Sequence, residues 1–248
     1  MERVLIVRVR APVASFRRPL EHNYQRTLPM PPPTTLIGIA GAALGLSDRD
    51  LWAENSLLRG LKVSVLTNEE PGRARDMWTV LKVKAGKIAE RSPYFRELLF
   101  FVRYTLLYGG PEDLLRKLET AFQDPAYPLS LGREDELLLV EEIRQDMAIK
   151  GMPRFRGTVL PINIRAPSGV RPILTPGTHF EPPVVETLPL RFRLDNKGIR
   201  HPESPISLSF LSPGLEVEVP GIPALQWQER NFTWLNSSPS RTSRSLPI

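Results

Sequence analysis

The stretch SFRRPLEHNYQRTLPMPPPTTLIGIAGAALG, residues 15–45, places Arg17, Arg18, His22, Tyr24, Gln25 and Arg26 within ten residues and follows them with Pro29 and Pro31–Pro33. Arginine presents a planar fork that binds phosphate through two parallel hydrogen bonds, and the rings of histidine and tyrosine are platforms for unpaired bases. The prolines restrict the backbone, so these groups are presented with less entropy left to lose. A helix predicted from the next residues, with Thr34 or Thr35 as N-cap, turns its free N–H groups at Thr34–Leu36 towards the same place, as a phosphate seat. The plain alternative is a solvated basic loop in front of a helix.

A second basic stretch, MWTVLKVKAGKIAERSPY, reads as a hairpin arm that turns at Ala85-Gly86. At strand spacing Trp78, Val80, Lys82 and Lys84 share one face, and Lys87 and Arg91 follow the turn. Lysines on an edge strand can also serve only to discourage aggregation. Arg10 in the first strand and Arg133, after the glycine turn of LGRED, are further phosphate-binding candidates; Arg133 has Glu134 and Asp135 as competing partners. Acid–base cleavage of RNA needs a base near the 2′-hydroxyl and an acid near the leaving oxygen. His22 and Tyr24, with Lys82 or Lys84, are the side chains that could form such a set.

Charge distribution points the same way. The chain of 248 residues has a net charge of +6, and 26 of its 33 basic residues are arginine. Residues 1–110 hold 17 Lys/Arg against 10 Asp/Glu, whereas residues 111–248 hold 16 against 17. A polyanionic partner for the N-terminal part is expected. The absence of cysteine excludes disulfides, thiolate metal sites and cysteine nucleophiles, and three scattered histidines argue against a metal site. The glycines of GIAGAALG match neither the dinucleotide fingerprint nor the phosphate-binding loop of nucleotide hydrolases. Packing against a sheet explains them. The acidic residues between Glu112 and Asp146 read as a solvated face or protein contact. No cofactor is implied, no run is long and apolar enough for a membrane span, and the cytoplasm is the expected compartment.

The elements that must hold these residues follow from periodicity. RVLIVRVRAP is a buried strand stopped at Pro12; the Gly/Ala-rich helix follows; LKVSVL is a second strand and FFVRYTLLYGG a third. GPEDLLRKLETAF is a helix with Pro111 at its first position and an apolar stripe of Leu114, Leu115, Leu118, Ala121 and Phe122. YPLSLGREDELLLVEEI supplies a turn and a fourth strand. The order βαββαβ predicts an α+β, ferredoxin-like domain over residues 1–150, with the arm at about 68–97 and one sheet face free, as in RNA-recognition domains. Residues 151–235 predict a small Pro-rich C-terminal β subdomain, and 236–248 a flexible tail.

The segments APVASFRRP, QRTLPMPPPTTLIGIAGAALG, SPYFRELLF, YTLLYGGPEDLLRKL and YPLSLGRED, in this order and spacing, resemble the Cas-five family. These are RAMP-superfamily (RRM-like) subunits of type I CRISPR effector complexes (Cascade), and the style is nearest to type I-B members. The resemblance covers most of residues 3–140. It implies a non-catalytic subunit of antiviral defence that grips the 5′ handle of the CRISPR RNA. Its neighbours would be the Cas-seven-type backbone subunit, the Cas-eight-type large subunit and target DNA beside the protospacer-adjacent motif. It also implies an arm that intrudes between handle and guide, for which MWTVLKVKAGKIAER would serve. Some family members, those of type I-C systems, process CRISPR RNA with tyrosine, lysine and histidine and without metal; a metal-independent endoribonuclease is the alternative function.

Overall fold

A computed structural model describes residues 1–165, 169–175 and 177–236. In chain order the elements are β1 (Glu2–Ala14), β2 (Tyr24–Gln25), α1 (Pro33–Ala43), α2 (Asp48–Trp52), β3 (Lys62–Leu66), β4 (Gly72–Lys84), β5 (Lys87–Gly109) and α3 (Glu112–Gln123). There follow β6 (Leu139–Lys150), β7 (Arg154–Phe155), β8 (Val159–Leu160), β9 (Arg171–Ile173), β10 (Val184–Leu194), β11 (Arg200–Phe210), β12 (Glu216–Glu218), β13 (Leu225–Trp227) and β14 (Arg230–Phe232). The protein is a mixed α+β molecule dominated by strands, with few helices.

The main sheet is organised around β1, whose apolar residues Val4–Val7 and Val9 are almost fully buried because the strand is central. β1 lies antiparallel between β5 and β6, and β3 pairs antiparallel with the other edge of β5. Helices α1 and α3 cover one face. Burial of Leu36, Ile37, Leu115, Leu118 and Phe122 against Leu5, Val7, Val63 and Tyr108 forms the larger core. Tyr108 donates a hydrogen bond at 3.1 Å to the carbonyl of Leu36, fixing α1 on β5.

Several boundaries depart from the sequence expectations. β1 continues through Pro12 to Ala14, because β6 pairs no further than Arg10 and beyond that point only β5 runs beside the strand. Proline is tolerated where one edge of a strand has no partner. Pro32, not Thr34 or Thr35, is the N-cap of α1, and Pro33 occupies the first turn, where its missing N–H costs nothing. Pro111 is likewise the N-cap of α3 rather than its first residue. The close approach at Gly41 is made by a short helix, α2: a β-carbon there would lie 2.7 Å from Leu51.

The sheet face opposite the helices is not a free platform. β13 pairs with β6, and Trp227, Phe232 and Trp234 cover Val4, Ile6, Leu66 and Leu107. Residues from 151 onwards form two three-stranded sheets, β10-β11-β8 and β7-β12-β9. Leu188, Leu208 and Phe210 of the first pack into the larger core. Asn236 is anchored by hydrogen bonds to Val63 and Leu61. The remainder of the expected tail, 237–248, lies outside the described residues.

Candidate nucleic-acid interface

A clasp holds the basic segment. Phe16 and Leu28 are buried, the N–H of Leu28 donates to the carbonyl of Phe16 at 2.8 Å, and that of Arg18 donates to Arg26 at 3.1 Å. Thr27, also buried, accepts from the Phe16 N–H through its hydroxyl at 2.8 Å. Tyr104 donates to the carbonyl of Pro29 at 2.7 Å. The loop 19–25 is thus tied at both ends, and the prolines are only part of the reason.

On the other side, Glu136 is 5% exposed, and its carboxylate accepts from the N–H and hydroxyl of Ser15, at 2.8 and 2.6 Å, and from the Arg133 N–H at 3.0 Å. Gly132 makes this junction geometrically possible. Its φ is +113°, and a β-carbon would fall 1.9 Å from the Ser15 carbonyl oxygen.

Between these parts lies a cleft of about 580 Å³ whose wall includes Arg17, Arg18, Gln25, Arg26, Thr34, Thr35, Arg96 and Arg133. Seven of the residues singled out in the sequence therefore converge. Arg96, which sequence reasoning did not select, completes the set. Both Arg96 and Arg133 place their guanidinium groups over the Trp78 ring, at 5.1 and 4.9 Å from its centroid. Trp78 is thereby bound to the root of the arm by two cation–π contacts. The ring is half-buried beneath these two guanidinium groups.

Charge pairing is more extensive than the sequence suggested. Arg18 donates to Glu186 through Nε at 2.8 Å and Nη2 at 2.6 Å; Arg26 pairs with Glu21 at 2.5 Å, Arg96 with Asp76 at 2.9 Å, and Arg133 with Asp135 at 3.2 Å. Of the cleft's arginines only Arg17, which is exposed, has no ion pair among the described residues. The helix N-terminus also offers less than expected. The N–H groups of Thr35 and Leu36 both bond the Pro32 carbonyl, at 3.0 and 3.1 Å, which leaves that of Thr34 alone.

The arm is a long hairpin turning at Ala85 and Gly86, both with positive φ, +50° and +74°. That conformation suits a two-residue turn matched to strand twist. Asp76, Trp78 and Val80 face inwards, half-buried, while Met77, Leu81 and Val83 are exposed on the other face. Lys82 pairs with Glu90 at 2.9 Å. At the tip Lys84 stands directly opposite Lys87. Neither lysine, nor Arg91, has an ion pair among the described residues.

The remaining candidates lie elsewhere. Arg10 is on the helix-free side of the sheet, paired with Glu141 at 3.0 Å. His22 is exposed in the loop, and its ring has no partner among the described residues. Tyr24 donates to Glu97 at 3.0 Å, with the Arg75 guanidinium 5.7 Å from its ring centroid. Loss of hydration, then the Glu97 carboxylate, hold the Tyr24 phenol above its ordinary pKa, so it keeps its proton. Tyr24 lies beside Phe95 and Lys82 opposite Glu90. Five residues of strand, roughly 17 Å, separate the two. The set His22, Tyr24 and Lys82 does not form one reactive centre in this conformation. Among the described residues no group of three or more acidic or histidine side chains is arranged to hold a metal ion.

A strand-rich α+β frame with a basic clasp and a cationic arm defines the class. The family model described as CRISPR-associated protein (Cas_Cas5) matches residues 4–157, and the chain belongs to that family. A CRISPR RNA-guided surveillance complex contains a chain of similar fold, with a TM-score of 0.55, 19% identity, and 83% of this chain and 88% of that one covered. A CRISPR protein from Archaeoglobus fulgidus is 13% identical, with a TM-score of 0.46 and 92% and 98% covered. A crystal structure of a Cas protein is 25% identical, with a TM-score of 0.39, over 54% of this chain and 58% of that chain's length. No curated protein sequence matches.

Proposed function

We propose that this protein is a non-catalytic RNA-binding subunit of a type I CRISPR effector complex, gripping the 5′ handle of the CRISPR RNA between the clasp and the arm. The observation that carries this reading is that, among the described residues, Arg17 in the cleft and Lys84, Lys87 and Arg91 in the outer part of the arm have no ion pair. Like charges placed directly opposite on a hairpin destabilise it. They are accounted for if a polyanion neutralises them. The strand order β6-β1-β5-β3, with α1 and α3 on one face, is read as the ferredoxin-like core of a RAMP subunit. The exposed Met77, Leu81 and Val83 suit contact with neighbouring Cascade subunits.

The reading is tested with purified protein, a handle-containing RNA and a scrambled control, in EDTA and over a range of salt. The expected outcome is preference for the handle without cleavage. Arg17→Gln should weaken binding and reduce the salt slope by about 0.7, the contribution of one phosphate contact on a single strand. Metal-independent cleavage that disappears in Tyr24→Phe would overturn the non-catalytic assignment. Equal affinity for both RNAs would overturn handle recognition.

A further inference from the structure

A second arginine site lies outside the cleft. Arg230 opens β14, across the two-residue turn Gln228-Glu229 from Trp227. Its Nη2 donates to the carbonyls of Thr67, at 3.0 Å, and Arg156, at 2.6 Å. Gly157 makes room for it: φ there is +52°, and a β-carbon would lie 2.2 Å from the Thr67 carbonyl oxygen and 2.8 Å from Arg230 Nη2. The Arg230 Nε is shielded from solvent and finds no acceptor.

Counter-charge is missing. Among the described residues neither Arg230 nor Arg156 has an ion pair. Burial, and then the charge of Arg156, pull the Arg230 pKa down to about 10. A largely buried cation answered by two neutral carbonyls and a second cation is short of a negative partner. Anchoring the loops at Thr67 and Arg156 accounts for Nη2 but not for a second, exposed arginine beside it.

The space in front of Arg230 is lined mostly by polar and charged side chains. It measures about 580 Å³ and is lined by Asn68, Arg156, Pro213, Gln228, Glu229 and Arg230, none of which lines the clasp-and-arm cleft. Asn68 and Gln228 add amide donors. Gln228 has a φ of +53° because it is the first residue of the two-residue hairpin turn between β13 and β14. Glu229 is the one carboxylate on the wall.

We propose that Arg156 and Arg230 form a seat for a phosphate group, carried either by a nucleic-acid backbone or by a free phosphoanion. Arg230 is the anchored half and Arg156 the exposed half.

The test uses the full chain with sodium pyrophosphate and, separately, a mixed-sequence single-stranded RNA. Arg156→Gln is the informative variant, because it keeps the backbone carbonyl that anchors Arg230. If free phosphoanions occupy the seat, pyrophosphate raises the melting temperature of the wild type. Arg156→Gln then weakens its apparent affinity by about tenfold, the loss of one charge-assisted contact, and Glu229→Gln strengthens it. If the seat serves a nucleic-acid backbone, Arg156→Gln lowers the RNA salt slope by about 0.7. Arg17→Gln separates the two sites: it should leave any pyrophosphate response unchanged, and its own failure to alter RNA binding would count only against the cleft. Arg156→Gln indistinguishable from wild type with both probes overturns the proposal.

Discussion

Glu136 shows at residue scale how a carboxylate can serve a basic site without neutralising it. Its oxygens are consumed by Ser15 and the Arg133 backbone N–H, so it joins two loops while the Arg133 guanidinium turns to Asp135 and Trp78. Gly132 permits the junction. Gly132→Ala should therefore cost about 2–3 kcal/mol from the positive φ and the clash with Ser15. Thermal unfolding would register this as a fall of several degrees; an unchanged melting temperature would show that the loop relaxes freely. The arginine types and spacing in residues 15–26 were legible in the sequence. Their pairing was not, because Glu186 lies 168 positions from Arg18.

At the scale of elements, the arm separates local from non-local information. Ala85-Gly86 announced the turn, since glycine tolerates the positive φ that a two-residue hairpin needs. Counting outwards from that turn sets Lys84 against Lys87, yet a shift between Lys82 and Val83 moves every later pair by one residue. Asp76 consequently meets Arg96 and Trp78 meets Tyr94. A one-residue slip would invert the faces of one strand relative to the other, which is why Arg96 escaped selection. The like-charged tip makes a prediction with opposite signs. Lys87→Glu replaces repulsion across the turn with attraction and should stabilise the arm by about 0.2–1 kcal/mol, visible as slower amide exchange in β4. The same change should weaken RNA binding. Weaker protection and unchanged affinity would remove the arm from the proposed interface.

For the whole molecule, the decisive feature is the return of the C-terminal strands to the first sheet. Phe232 is fully buried beside Trp234, and both sit on residues contributed by β1 and β5. Trp227 is contacted by the Arg8 and Arg144 guanidinium groups, 5.6 and 5.2 Å from its ring centroid, and its indole N–H donates to Asp146 at 2.9 Å. Phe232→Ala should destabilise the protein by about 3–5 kcal/mol. A melting temperature lowered by roughly 6–20 °C is the expected result. A loss of less than 1 kcal/mol would mean that these strands are an appendage, not part of the core.

The main strands, the two longer helices, the arm's turn and the clustering of arginines were determined by the sequence itself. Alternation, helical periodicity, glycine and proline act over a few residues, and each leaves a local trace. Helix caps came out one to three residues away, because proline serves equally as a cap or in the first turn. Only the tertiary structure decided which cations carry partners, that Trp78 lies beneath two arginines, and that the helix-free side of the sheet is covered. Those outcomes depend on contacts between residues far apart in the chain, and a partner's burial and charge leave no mark on the segment that receives it.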